Sequence, residues 1–271
     1  MTHFARKEMH MDKRKVIYYS DELNDEFSVA QITPKRIDER YVYYHSSIFK
    51  RITHFFWYRM VFTPIAFFYT KLKLHHKVIG REKLKPFKKK GYFIYGNHTQ
   101  DIGDAFMPNM FSAPQDSYII VHANNVSMPF LGRITPSLGA LPLPEGMVAY
   151  KNFMSAIERR LFEKCAIVIY PEAHIWPYYT KIRPFGDVSF SYPVKFGVPT
   201  FCFTNTYQKR RFSKKPKIVT YIDGPFYPTE GLNAKAQRLE LRNTVYDTMC
   251  ERAKASTVEA IKYIKKDEID G

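Results

Sequence analysis

From Gly80 to the C-terminus, short apolar runs alternate with stretches of helical period, and this alternation limits the architecture more than any other property of the chain. Residues 92–96, 117–121, 138–143, 166–170, 198–204 and 218–222 have the length and apolar content of strands. Residues 166–170 form a continuous apolar run closed by Pro171, as a strand buried on both faces requires. Between these runs, residues 102–111 and 147–164 fit helices, the second with Phe153, Ile157 and Leu161 four apart. Leu241, Val245 and Met249 mark the buried face of a last helix, expected to run to about Lys265. Strands interleaved with helices predict an α/β fold: a mixed sheet flanked by helices.

Ahead of this region the pattern changes twice. Residues 1–40 are polar and mixed in charge and predict a loosely ordered arm. Residues 41–76 contain a dense aromatic stretch, with Phe55, Phe56, Trp57, Phe62, Phe67 and Phe68 among Lys50, Arg51 and Arg59. A spanning helix needs about 20 apolar residues with few charges, and Arg59 lies in the interior of this one. The combination predicts helices lying in a lipid interface, rings inserted and cations at the headgroups, with a kink at Pro64. The expected organisation is therefore an arm over 1–40, a membrane-interface segment over 41–76 and an α/β domain over 77–271.

Charge and cysteine content limit the partners. Lys and Arg number 42 against 26 acids, a net charge of +16 that favours an anionic partner: a phosphate-bearing substrate, an acidic membrane surface or nucleic acid. No nucleic-acid module is recognisable, so nucleic acid is not expected. The three cysteines are far apart, without metal or redox spacing, and the N-terminus lacks the apolar core of a signal peptide. Reduced thiols and a body at the cytoplasmic face of a membrane follow, with no metal and no cofactor expected.

The segment that carries chemistry follows the run 92–96: Asn97, His98, Thr99, Gln100, Asp101, Ile102, Gly103, Asp104. A histidine at a strand end can take the proton of a hydroxyl nucleophile near neutral pH. A carboxylate on its other ring nitrogen would fix the tautomer and stabilise the imidazolium, as in the second half of a serine-protease triad. Asp101 and Asp104 both qualify by position. No serine or cysteine nucleophile stands out.

Asn-His followed closely by Asp after a strand resembles the first motif of the glycerolipid acyltransferases, the family typified by lysophosphatidic acid acyltransferase. The resemblance continues in order from about Lys77 to Asp223. Lys77-Val78-Ile79-Gly80 looks like the lead-in strand. Met128-Pro129-Phe130-Leu131-Gly132 and Leu138-Gly139-Ala140-Leu141-Pro142-Leu143 look like the second motif, and Tyr170-Pro171-Glu172 looks like the third. Lys181-Ile182-Arg183-Pro184-Phe185 resembles the basic segment after it, and Gly197-Val198-Pro199-Thr200 the fourth motif.

The resemblance implies transfer of a fatty acyl group from acyl-coenzyme A or an acyl carrier protein to the hydroxyl of lysophosphatidic acid. His98 would act as general base in a direct transfer. It implies Asp104 as the partner of His98, with Asp101 competing, and Asn97, Glu172, Lys181, Arg183 and Gly139 at the substrate, the N–H groups of Gly139 to Leu141 facing the oxyanion.

Three departures bear on the acceptor. Five residues separate His98 from Asp104 where the family has four, and Gly103 is expected to absorb the extra residue in the turn. Leu143 is followed by Pro144-Glu145 where the family often has Ile-Asp-Arg, and Pro171-Glu172 by Ala173-His174-Ile175 where it has Gly-Thr-Arg. Both arginines tied to the acceptor phosphate are thus missing from their positions, leaving Lys181 and Arg183 as the nearest cations. Another acceptor, glycerol 3-phosphate or a different lysolipid, and a non-catalytic basic lipid-binding protein are the alternatives.

Overall fold

The computed structural model describes residues 14–27, 33–44, 47–211 and 213–268. Nine strands are formed there: β1 (Lys15–Tyr19), β2 (Lys77–Ile79), β3 (Tyr92–Gly96), β4 (Ser117–Val121), β5 (Ala140–Pro142), β6 (Ala166–Ile169), β7 (Thr200–Arg210), β8 (Ser213–Phe226) and β9 (Ile261–Lys265). The helices are α1 (Ile48–Phe55), α2 (Thr63–Phe68), α3 (Gly103–Ser112), α4 (Asn124–Ser127), α5 (Leu131–Ile134), α6 (Met147–Phe162), α7 (Ser191–Phe196) and α8 (Ala234–Ala253), with short 3₁₀ turns between some of them.

Seven strands build the central sheet in the order β2-β8-β7-β3-β6-β4-β5. The five from β7 to β5 are mutually parallel, and β8 pairs antiparallel with β7. The mixed sheet expected from the sequence is therefore present. β3 and β6 are its middle and are buried along their whole length. Parallel neighbours paired in step, such as Ile94 with Val168, leave the sheet together, so the residues after Gly96 and after Ile169 emerge side by side at one edge. That is where open α/β sheets place their ligands.

Apolar side chains cover both faces. Phe153, Ile157 and Leu161 of α6 pack with Leu241, Val245 and Met249 of α8 on one face, as their four-residue spacing predicts. Met107 and Phe111 of α3, with Leu74, cover the other.

The aromatic segment is helical from Ile48 to Lys73, with wider π-type turns at Phe56–Phe62 and Tyr69–Lys73. Pro64 falls in the first turn of α2, where a missing N–H is tolerated. The segment lies along the α3 face, through Phe62 and Tyr69 against Phe106. Its interior charge turns inward: Arg59 contacts the Asp116 carboxylate, and His54 bonds Ser137 O at 2.8 Å. Phe49, Phe55, Phe56, Met60, Phe67 and Phe68 stay exposed, Phe49 by 77%. No helix among the described residues is long and apolar enough to cross a membrane.

Two expectations change at the termini. The last helix stops at Ala253, and residues 261–265, assigned to it from sequence, form β9 instead. β9 pairs in parallel with β1, so residues 15–19 of the expected loose arm form an ordered strand; residues 1–13 and 28–32 of that arm lie outside the described residues. The pair sits on the loop after β6. Trp176 Nε1 donates to Asp25 O at 2.8 Å, Tyr263 OH donates to Pro177 O at 2.8 Å, and the Trp176 and Tyr263 rings stack at 5.0 Å. Each segment is only five residues long and pairs with a partner at the other end of the chain, which is why local pattern reads them as arm and helix end.

His76, at the joint between the aromatic segment and β2, is buried with Nε2 at 2.7 Å from Thr220 Oγ1. Burial, then the neighbouring Lys71 charge, lower its pKa to about 4. In the unfolded chain the imidazole titrates near 6.5, so the unfolded state takes up a proton that the folded state refuses. Stability is therefore expected to fall as pH drops from about 6.5 toward 4, by about 3 kcal/mol at the low end on the linkage of about 1.4 kcal/mol per pKa unit. Urea unfolding at pH 7 and pH 4.5 checks this: His76→Gln should flatten the difference, and an unchanged slope would refute the assignment.

Candidate active site

His98 follows β3 with its side chain 18% exposed. Its Nδ1 lies 2.8 Å from Asp104 Oδ2, and its ring stacks on Tyr170 at a centroid distance of 4.5 Å and 19°. Nε2 carries no hydrogen bond among the described residues. Asp104, not Asp101, is thus the partner. Its Oδ2 also accepts the backbone N–H groups of Thr99 and Gln100, both at 2.9 Å, and its Oδ1 accepts from Asn205 Nδ2 at 3.3 Å. These donors arise because Asp104 stands in the first turn of α3 and reaches back over the loop that leads into it.

Burial raises the Asp104 carboxyl above its ordinary range, while the His98 bond and charge and the Gln100 and Thr99 N–H groups pull it down. With Nδ1 held against this carboxylate, the neutral ring keeps its proton on Nδ1 and presents a free lone pair at Nε2. The pair can accept a proton from a hydroxyl and hold the resulting imidazolium beside a fixed negative charge.

Gly103 plays a different part from the one expected. It has ordinary helical geometry as the first residue of α3, and a Cβ there would lie 2.9 Å from Gln100 Cβ and 3.1 Å from Leu74 Cδ1. Close packing of α3 on the loop, rather than an unusual backbone angle, requires the glycine.

The substrate-binding candidates divide. Asn97 is buried and turned to β7, its Nδ2 donating to Asn205 O at 3.1 Å and its Oδ1 accepting from Asn205 N at 2.8 Å. Glu172 is buried too, Oε2 accepting from His98 N at 3.0 Å and Oε1 from Arg183 N at 2.9 Å. Burial raises its carboxyl, against the lowering effect of Arg183. Both side chains hold loops in place and touch no open space, so neither is placed to meet a substrate.

Arg183, expected at an acceptor phosphate, is sealed inside at 1% exposure. Its guanidinium donates to Glu22 O at 3.1 Å and Glu172 O at 3.2 Å, contacts His174 O, and lies over the Trp176 ring. The β1 side of the terminal pair closes over it, a tertiary contact that sequence spacing does not reveal. Lys181 is exposed, with no hydrogen bond or ion pair among the described residues.

Gly139 is misplaced for an oxyanion hole. It precedes β5 and is level with Tyr118 at the start of β4, at the opposite edge of the sheet from His98. Its N–H bonds Pro136 O at 3.3 Å. At φ +93° with Ser117 O 2.4 Å from a built Cβ, Gly139 turns the chain tightly into β5.

Several contributors carry no local signal. Tyr170 backs the His98 ring and donates to Asp104 O at 2.5 Å, and Tyr207 donates to Thr99 Oγ1 at 2.7 Å. The loop that follows His98 lines a cleft of about 300 Å³ through residues 99–102, bounded also by Tyr69 and Lys73 at the end of the aromatic segment, by Pro177 and Tyr178, and by Lys215 on β8.

Residues 75–203 match the family model described as acyltransferase. Among solved structures, the 1-acyl-sn-glycerophosphate (LPA) acyltransferase PlsC from Thermotoga maritima is similar at a TM-score of 0.50 and 15% identity, over 78% of this chain and 97% of that one. At that identity the likeness is one of fold. No curated protein matches the sequence.

Proposed function

We propose that this chain, whose residues 75–203 match the acyltransferase family model and whose fold is like that of a glycerolipid acyltransferase, is a glycerolipid O-acyltransferase that uses His98 as general base on the hydroxyl of a lysophospholipid. Lysophosphatidic acid is the reference acceptor and glycerol 3-phosphate the smaller member of the same chemistry; acyl-coenzyme A or an acyl carrier protein is the donor. The observation that carries this reading is the free Nε2 of His98 beside an Nδ1 held 2.8 Å from buried Asp104.

The acceptor oxygen attacks the thioester carbonyl as Nε2 takes its proton. Collapse of the tetrahedral intermediate breaks the C–S bond, and the imidazolium returns the proton to the leaving thiolate. One ester forms, one thioester is lost, and no acyl-enzyme is needed.

Purified protein on anionic liposomes, given palmitoyl-coenzyme A and lysophosphatidic acid, should release thiol and form an acylated product detectable by mass. Absence of turnover with both donor types across a panel of lysolipids and glycerol 3-phosphate would overturn the reading.

The exposed aromatic face of residues 48–73, with Lys50, Arg51 and the net charge of +16, supports attachment to an anionic membrane at its cytoplasmic face. Its C-terminal end, Tyr69 to Lys73, borders the cleft that residues 99–102 line just after His98. Replacing Phe49, Phe55 and Phe68 together by Ser should release the protein from anionic vesicles in flotation while leaving its circular dichroism unchanged. Undiminished flotation would show that another surface binds the membrane.

A further inference from the structure

The cleft lined by residues 99–102, which directly follow His98 in the chain, is neither apolar nor uniformly basic. Lys73 and Lys215 reach it from different elements, the end of the aromatic segment and β8, and both are exposed. Asp101, which His98 leaves free by pairing with Asp104, lines the same cleft as an exposed carboxylate with no hydrogen bond or ion pair among the described residues. Tyr178 stands on the wall with φ +59°, in the left-handed region that bulky residues rarely adopt. Its N–H bonds Thr99 O at 3.1 Å, tying it to the residue after the base. Backbone strain of this kind persists where the surroundings enforce it and gathers at ligand sites. The Lys73 ammonium lies 4.9 Å from the Tyr69 ring centre, so a cation of the protein already uses that ring, whereas no cation contact engages Tyr178 among the described residues.

We propose that this cleft binds the headgroup of a zwitterionic lysophospholipid, its phosphodiester on Lys73 and Lys215 and its ammonium on Asp101 and the Tyr178 ring. Two cations and a carboxylate in one space match a ligand that carries both signs, and an aromatic face beside a carboxylate suits an alkylammonium. A terminal phosphate monoester would bring extra negative charge to Asp101 and no cation to satisfy it, which discriminates against lysophosphatidic acid and glycerol 3-phosphate by repulsion. The two motif positions where arginines would meet such a phosphate, after Leu143 and after Glu172, hold none here, and Arg183 is enclosed. The glycerol hydroxyl of a lysophospholipid is a few bonds from its phosphate, and the cleft begins at Thr99, next to His98.

This inference rests on the acyl-transfer reading and deepens it. The test compares lysophosphatidylethanolamine, lysophosphatidylcholine and lysophosphatidic acid of one chain length, at equal mole fraction in mixed micelles with palmitoyl-coenzyme A or a palmitoyl carrier protein as donor. The full chain should have the higher kcat/KM on the zwitterionic acceptors. Asp101→Asn should lower the ratio of zwitterionic to lysophosphatidic acid kcat/KM about three- to fivefold, as loss of one solvated charge contact implies, and Asp101→Lys should invert it. Lys215→Ala should weaken all three acceptors together and leave the ratio unchanged, since each carries a phosphate. Preference of the unaltered protein for lysophosphatidic acid, a ratio unmoved in folded Asp101 variants, or full activity in Lys215→Ala would each overturn the assignment while acyl transfer stands. No turnover on any acceptor would remove both.

Discussion

Replacing His98 by alanine is expected to lower acyl transfer by about 10²- to 10⁴-fold, the range for losing a positioned general base. The loss should fall on kcat, because a hydroxyl without a proton acceptor still binds but attacks slowly. The fold should survive. The ring is partly exposed, and its only hydrogen bond among the described residues is to Asp104, while the backbone N–H that anchors the loop to Glu172 remains. Asp104→Asn tests the same pair from the other side. An amide can donate to Nδ1 and shift the ring proton to Nε2, where it blocks proton acceptance; the corresponding change in a serine-protease triad costs about 10⁴ in kcat. The check is initial-rate kinetics by thiol release, with circular dichroism to confirm folding. Near-normal kcat in a folded His98→Ala protein would mean that the hydroxyl is activated elsewhere.

The second large effect is on stability and falls on Arg183. Arg183→Leu is expected to destabilise the protein by about 3–5 kcal/mol, as removal of one member of a buried ion pair does. At this chain length that corresponds to a melting temperature lower by about 10 °C. The change strips buried Glu172 of the cation 3.7 Å away and removes the donor that the carbonyls of Glu22 and His174 share. Because Glu172 also holds the His98 N–H, some loss of kcat should accompany the shift, with acceptor KM little changed. A substrate-facing arginine would give the reverse: unchanged melting and a raised acceptor KM. Thermal unfolding and acceptor kinetics on one preparation separate the two.

Local pattern determined a great deal. The strands around Ile94, Ile119 and Val168 and the α6 and α8 stripes were legible because alternation and helical spacing report burial directly, so the mixed α/β sheet followed from composition along the chain. His98 was legible for a related reason: the end of a central strand is a fixed exit point, and few residue types can serve as a base there.

What tertiary structure decided is every choice that depends on which distant segment arrives. Asp101 and Asp104 are equivalent on paper, and only the turn into α3 gives Asp104 the His98 ring and two backbone N–H groups. Arg183 and Lys181 are both basic residues in one loop, yet Glu22, just after β1, and Trp176 enclose the first and leave the second in solvent. Gly139 belongs to a motif resembling an active-site segment, but parallel strand direction carries it to the far edge of the sheet. The cleft draws on residues from 69 to 218, beyond any local pattern. Periodicity records how much a residue is buried; it holds no information about what buries it, and the chemistry of a site is set by the second.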